Sequence, residues 1–94
     1  MEDGLAKTFV RTEGIEGAPM RDESILYIPS SEAYCVLNRP AAALWEALAT
    51  PSTEDQLAAL LVEEFDGATM EGAMSDVRAT LEQMHEMSLV QEVS

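Results

Sequence analysis

Cysteine occurs once in these 94 residues, at Cys35. That excludes an internal disulfide framework and any metal or cluster site built from several cysteines. Aromatic residues make up only 5% of the chain, so a core must be assembled mainly from Ala, Leu, Val and Met. No run of ~18 apolar residues is present, so no segment reads as a membrane span. The opening Met-Glu-Asp-Gly is neither basic nor apolar, and no secretory signal is visible. A reducing cytoplasm is the compartment these features suggest. Positive charge is scarce as well: 5 Lys and Arg against 18 Asp and Glu give a net charge of −13. From Thr50 onward ten acids face a single base, Arg78. Nucleic-acid binding needs Lys and Arg to neutralise phosphates, and this chain would repel them. Long-range steering favours a basic peptide or the basic surface of a partner enzyme. The plainer alternative, that the acids only keep a small protein in solution, stays open.

What is present is enough for one core. Hydrophobic residues amount to 47%, and a chain of this length reads as a single domain over 1–94, since single cores occupy about 100–150 residues. Residues 1–6 read as a frayed, flexible end. Lys7–Arg11 has strand propensity through Thr8, Phe9 and Val10. Gly14, Gly17 and Pro19 make 12–22 read as a loop or irregular connection. Ser24–Ile28 is a strand stopped by Pro29, and Ala33–Leu37 is a second at hairpin distance. In the latter, Ala33, Cys35 and Leu37 point one way and Tyr34 and Val36 the other, so both faces are apolar.

Asn38 then suits a helix N-cap, with Pro40 in the first turn, where its missing N–H costs nothing. Leu44, Trp45 and Leu48 form that helix's apolar stripe, and Pro51 ends it. Thr53-Glu-Asp-Gln56 is a capping box for a second helix with Leu57, Leu60, Leu61 and Phe65 on its apolar face, and Gly67 offers a left-handed stop. Met70, Met74, Val77, Leu81 and Met84 recur at three- and four-residue spacing, predicting a third helix over about 69–87. Leu89-Val90 reads as a short strand or packed tail. Strands followed by three helices suit an α+β domain, a small antiparallel sheet against a helical bundle.

Catalytic groups are hard to find. His85, the only histidine, sits beside Glu82 and Glu86 on a helix shoulder and reads as a solvated residue. Cys35 lies mid-strand and reads as a small buried hydrophobe. The carboxylates at Glu54-Asp55 and Glu63-Glu64-Asp66 flank the second helix and lack the spacing and central glycine of a calcium loop. No glycine-rich phosphate loop precedes a helix. Three of the six methionines fall on the core stripe of the third helix, which favours core filling over an adaptable binding surface. No catalytic, cofactor or metal residue is assigned.

The ordered set Tyr34-x-x-Leu37-Asn38, then Ala41-Ala42-x-Leu44-Trp45, a Thr53-initiated helix, Asp76-Val77 ahead of Leu81 and Met84, and a closing Leu89-Val90 resembles the PqqD family over about residues 20–92. These are small recognition elements for ribosomally made, modified peptides. Ala49-Thr50-Pro51 stands where the family often has Asp-Gly, and Ser88 where it commonly has Gly. Both are cap or turn substitutions that leave the core pattern intact, and they favour a PqqD-like protein of another peptide pathway over pyrroloquinoline quinone biosynthesis itself.

The resemblance implies a winged helix-turn-helix-like fold, a three-stranded antiparallel sheet followed by a three-helix bundle, with no enzymatic activity of its own. It further implies that the leader of a precursor peptide adds as a strand beside the third strand, in the groove between that strand and the third helix. The partner would be a separate modifying enzyme, either a radical S-adenosylmethionine enzyme or a leader peptidase. Mapped onto this chain, the peptide-binding residues are Ala33, Tyr34, Cys35, Val36, Leu37 and Asn38 on the strand. Ala73, Asp76, Val77, Thr80 and Leu81 are those on the helix. Tyr34 and Val36 are expected to line one side, and Asp76 to meet a basic or hydrogen-bonding group. For the helix residues, a purely structural role is an equal alternative. The chain could be monomer or homodimer, because an exposed strand edge also pairs with a second copy. Two other readings remain: an acidic adaptor docking on an enzyme without binding peptide, and a winged-helix DNA-binding protein, which the charge opposes.

Overall fold

The computed structural model describes residues 7–21 and 23–93; residues 1–6, read above as a frayed end, lie outside them. The elements are β1 (Thr8–Arg11), β2 (Glu16–Met20), β3 (Glu23–Ile28), β4 (Ala33–Leu37), α1 (Arg39–Ala47), β5 (Ser52–Thr53), α2 (Glu54–Glu64), α3 (Met70–Glu86) and β6 (Val90–Val93). An α+β architecture with a three-stranded antiparallel sheet and three helices is therefore in place. The membership of that sheet differs from the expectation. Its order is β2-β3-β4, and β2 runs through Gly17 and Pro19, in the stretch that reads as a loop. An edge strand tolerates such residues, because a proline's missing N–H can face away from the ladder. Gly17 is further suited to its place, where an added Cβ would stand 3.1 Å from Leu26 Cδ2 and 3.6 Å from Trp45 Nε1.

The first predicted strand joins a second sheet, ordered β5-β1-β6. Here β1 pairs with both the α1–α2 connection and the C-terminal strand, with Phe9 opposite Ser52 on one side and Glu92 on the other. This sheet ties the beginning, middle and end of the chain together. Arg11 reinforces the tie: its guanidinium lies 5.2 Å from the Trp45 ring centroid, and Nη1 donates to the Trp45 carbonyl at 3.3 Å.

The helices begin where their capping residues place them. Asn38 Oδ1 accepts the Ala41 N–H at 3.0 Å at the start of α1. Thr53 Oγ1 accepts from Gln56 N while Gln56 Oε1 accepts from Thr53 N, a complete capping box for α2. Thr69 caps α3 through the Gly72 N–H. One core then collects Leu26, Ile28 and Leu37 from the sheet, Leu44, Trp45 and Leu48 from α1 and its end, Leu57 and Leu61 from α2, and Ala73, Val77, Leu81 and Met84 from α3. Leu26, Leu48, Val77 and Leu89 are fully buried, at 0% exposure. Burial of that order stabilises by about 2 kcal/mol per large aliphatic side chain, which explains how a chain so poor in aromatics folds.

The end of α3 shows the consequence of Ser88. Its N–H donates to the His85 carbonyl at 3.0 Å, and Leu89 N–H to the Met84 carbonyl at 2.8 Å, with Leu89 and Met84 both buried. This is a Schellman cap, and its first residue past the helix must be left-handed. Ser88 adopts φ 61° there, a conformation that glycine occupies without steric cost and other residues do not. Gly67, by contrast, supplies its expected left-handed turn after α2 at φ 83°. Replacing Ser88→Gly is expected to raise unfolding stability by about 1 kcal/mol, measured by urea denaturation; a loss of stability would contradict this reading of the cap.

Candidate functional site

In the β2-β3-β4 sheet, β3 is central and β4 lies at one edge. The pairing of β3 with β4 is continuous from Ser24 opposite Leu37 to Ile28 opposite Ala33. No described strand pairs with the other side of β4. An unpaired edge presents alternate backbone N–H and C=O groups to solvent, ready to accept a further strand. The opposite edge, β2, is blunted by Pro19.

The pleat determines what β4 shows on each face. Leu26 opposes Cys35, and both point inward with Leu37 toward the helices. Tyr34 and Val36 point outward, 70% and 59% exposed. Cys35 and Leu37, rather than Tyr34 and Val36, are therefore the β4 side chains directed to the α3 side, because the register fixed by burying Leu26 and Leu37 leaves no alternative.

Between β4 and the C-terminal half of α3 lies a groove of about 160 Å³, lined by Cys35, Leu37, Asn38, Ala41, Thr80 and Met87, with Val36 at its rim. Met84 and Leu89 form its floor. A second hollow, about 320 Å³, opens by the N-terminal half of α3 between Pro40, Leu61, Phe65, Ala73 and Asp76. The Arg39 guanidinium sits 5.4 Å from the Phe65 ring centroid nearby. Asp76 and Thr80 are one helical turn apart, so the two hollows succeed one another along α3.

The residues expected at the site divide accordingly. All of Ala33–Asn38 lie on the β4 edge or immediately after it, and Asp76 and Thr80 line the hollows. Ala73, Val77 and Leu81 are 3%, 0% and 4% exposed. Their side chains belong to the core, with Ala73 reaching only the floor of the second hollow. Helix geometry accounts for the division: Ala73, Val77, Leu81 and Met84 form the buried stripe, and Asp76, Thr80, Gln83 and Met87 form the neighbouring stripe that faces the groove. Gln83 and Met87, and Pro40 and Phe65 beside Asp76, are site-lining residues that pattern reading did not single out. The 76-80-83-87 spacing was the available signal, one position out of phase with the core stripe.

Electrostatically the groove offers one perturbed group. Burial pushes the Cys35 thiol above its ordinary pKa, which keeps it protonated and poorly nucleophilic. His85 is exposed on the same half of α3 but lines a separate hollow with Thr12, Ser88 and Gln91, outside the groove that holds Cys35. Among the described residues no group of three or more His, Cys, Asp or Glu is placed to hold a metal ion. Likewise, no described helix is long and apolar enough to cross a membrane.

A family model described as coenzyme PQQ synthesis protein D (PqqD) matches residues 23–90, from the start of β3 to the start of β6. The chain belongs to the PqqD family. Two solved structures share its fold, which is winged helix-turn-helix-like. One is described as TbiB1 in complex with the TbiA(beta) leader peptide, at a TM-score of 0.79 and 15% identity, covering 90% of this chain and 98% of that one. The other is lasso peptide synthetase B1 complexed with the leader peptide, at a TM-score of 0.75 and 22% identity, covering 88% and 96%. At such identities the likeness is one of fold. No curated protein matches the sequence.

Cys35 gives a direct check of the groove. In the folded protein its alkylation by iodoacetamide near neutral pH is expected to be roughly tenfold slower than in the urea-unfolded chain, rising only at more alkaline pH. Equal rates would place the thiol in open solvent.

Proposed function

We propose that this PqqD-family protein binds the leader region of a ribosomally synthesised precursor peptide by strand addition at the free edge of β4, and presents it to a separate modifying enzyme. The observation that carries this reading is the conjunction of an unpaired edge strand with a groove of mixed apolar and polar lining running beside it along α3. Backbone pairing with β4 supplies affinity without requiring a fixed sequence, and alternate leader side chains entering the groove supply selectivity. Methionines at Met84 and Met87 suit such a lining, since their flexible thioethers repack around different apolar groups. Asp76, exposed at the second hollow, suits a basic or hydrogen-bonding leader residue. The net charge of −13 draws a basic segment in from a distance. Two protein structures of this fold are described as complexes with leader peptides, which supports the same role here.

The role is non-catalytic: Cys35 is held protonated and no base lines the groove with it. The modifying enzyme is a radical S-adenosylmethionine enzyme or a leader peptidase, in the cytoplasm. Winged folds also bind DNA, but the exposed residues of α3 include Glu71, Asp76, Glu82 and Glu86, and its one Lys or Arg, Arg78, is paired with Glu54 at 3.2 Å. That surface would repel phosphates.

Titrating an unlabelled leader peptide into isotopically labelled protein is expected to shift the amide resonances of residues 33–38 and of α3. Shifts confined to the first 20 residues would overturn the site. Thr80→Arg, which fills the groove from a partly exposed helix position, should weaken leader binding about tenfold or more while leaving the fold unchanged; undiminished affinity would exclude the α3 side of the groove.

A further inference from the structure

The same pleat that sends Leu26, Cys35 and Leu37 inward sends the alternate residues of all three strands outward. Register places Ala18 beside Ile25, Ile25 beside Val36, and Tyr27 beside Tyr34. The two tyrosine rings lie 5.1 Å apart. With Met20, at 50% exposure, these residues form one apolar field across the sheet, opposite the face on which α1 packs. Contiguous exposed apolar surface of this kind marks an interaction site.

Its rim is acidic. Glu16 and Glu23 lie on the same face at opposite corners of the β2–β3 ladder, and Glu32 sits in the β3–β4 turn, all exposed. The ion pairs formed among the described residues, Lys7–Glu92 and Arg78–Glu54, involve none of the three. Arg21 in the β2–β3 turn is outnumbered. Charge thus selects the occupant. A second copy laid face to face would oppose acids with acids between two chains of −13 each, and like-charge juxtaposition across an interface is strongly unfavourable. A partner with an apolar centre and a Lys/Arg rim meets both features. The field also runs up to the β4 edge through Tyr34 and Val36, so a strand added there would extend it with its own outward side chains.

We propose that the outer face of the β2-β3-β4 sheet is a second interaction surface, docking the enzyme that processes the precursor through an apolar, Lys/Arg-rimmed patch, and that a leader strand bound at β4 enlarges it. The identity of the docked partner as that enzyme, and the last clause, rest on the leader-binding reading; the apolar, acid-rimmed surface does not.

The test measures binding of the purified processing enzyme by calorimetry, with and without synthetic leader peptide. Two variants keep clear of β4: Ala18→Lys at an exposed position in the field, and Glu16→Lys with Glu23→Lys on the rim. Each is expected to weaken enzyme binding about tenfold or more while the leader Kd stays within about twofold. Leader should tighten enzyme binding to the unmodified protein. Enzyme binding unchanged in both variants would overturn the proposal. So would a dimer of the unmodified protein, seen by sedimentation and dissociated by Ala18→Lys, which would assign the face to a second copy. If leader fails to bind the unmodified protein, the leader reading falls, while the comparison of variants still decides the docking surface.

Discussion

The pairing of β3 with β4, locked by Leu26 and Leu37 on the inner face, is the constraint on which the rest of this structure depends. Leu26 at 0% exposure and Leu37 at 5% fix the register, and a slip of one residue would turn Tyr34 and Val36 into the core. Once set, that register exposes one backbone edge of β4, aims Cys35 at α3, and turns two large side chains to solvent. The capped start of α1 at Asn38 then carries the chain away from the edge, so the strand is left open.

The helices serve this arrangement by packing rather than by chemistry. Ala73, Val77, Leu81 and Met84 seat α3 against the core, which sets the adjacent stripe at the height of β4 and forms a groove instead of a filled interface. The β5-β1-β6 sheet closes the other side of the domain by joining its ends, and it leaves β2-β3-β4 with both an open edge and an open face. Two of the scarce aromatics, the half-buried Tyr27 and the exposed Tyr34, lie on that open face, where recognition can use them.

Much of this was legible in the sequence because it follows from local rules. Asn38, Thr53 and Gly67 have unambiguous capping chemistry, and the period-two and period-3.6 patterns of β4 and α3 are long enough to read. The strand over Glu16–Met20 was not legible. Its Gly17 and Pro19 are compatible with an edge strand only once Leu26 and Trp45 are known to crowd it, and that is a tertiary fact. Nor does β1 announce its partners, since its pairing with Ser52 and Val90–Val93 joins residues up to 85 positions apart. Of the residues expected at the candidate site, Ala33–Leu37 form the open edge strand that their alternation indicates, but the helix phase was not legible: Asp76 and Thr80 line the hollows, whereas Val77 and Leu81 share their spacing with the core. An amphipathic pattern identifies the buried stripe more readily than the half-covered stripe next to it.

Leader binding by strand addition depends most directly on the backbone edge of β4. Amide hydrogen exchange within Ala33–Leu37, followed residue by residue with and without saturating leader peptide, measures whether that edge becomes paired. With strand addition, the β4 amides not already bonded to β3 exchange markedly more slowly in the complex. Unchanged exchange at those amides, with leader demonstrably bound, would contradict it.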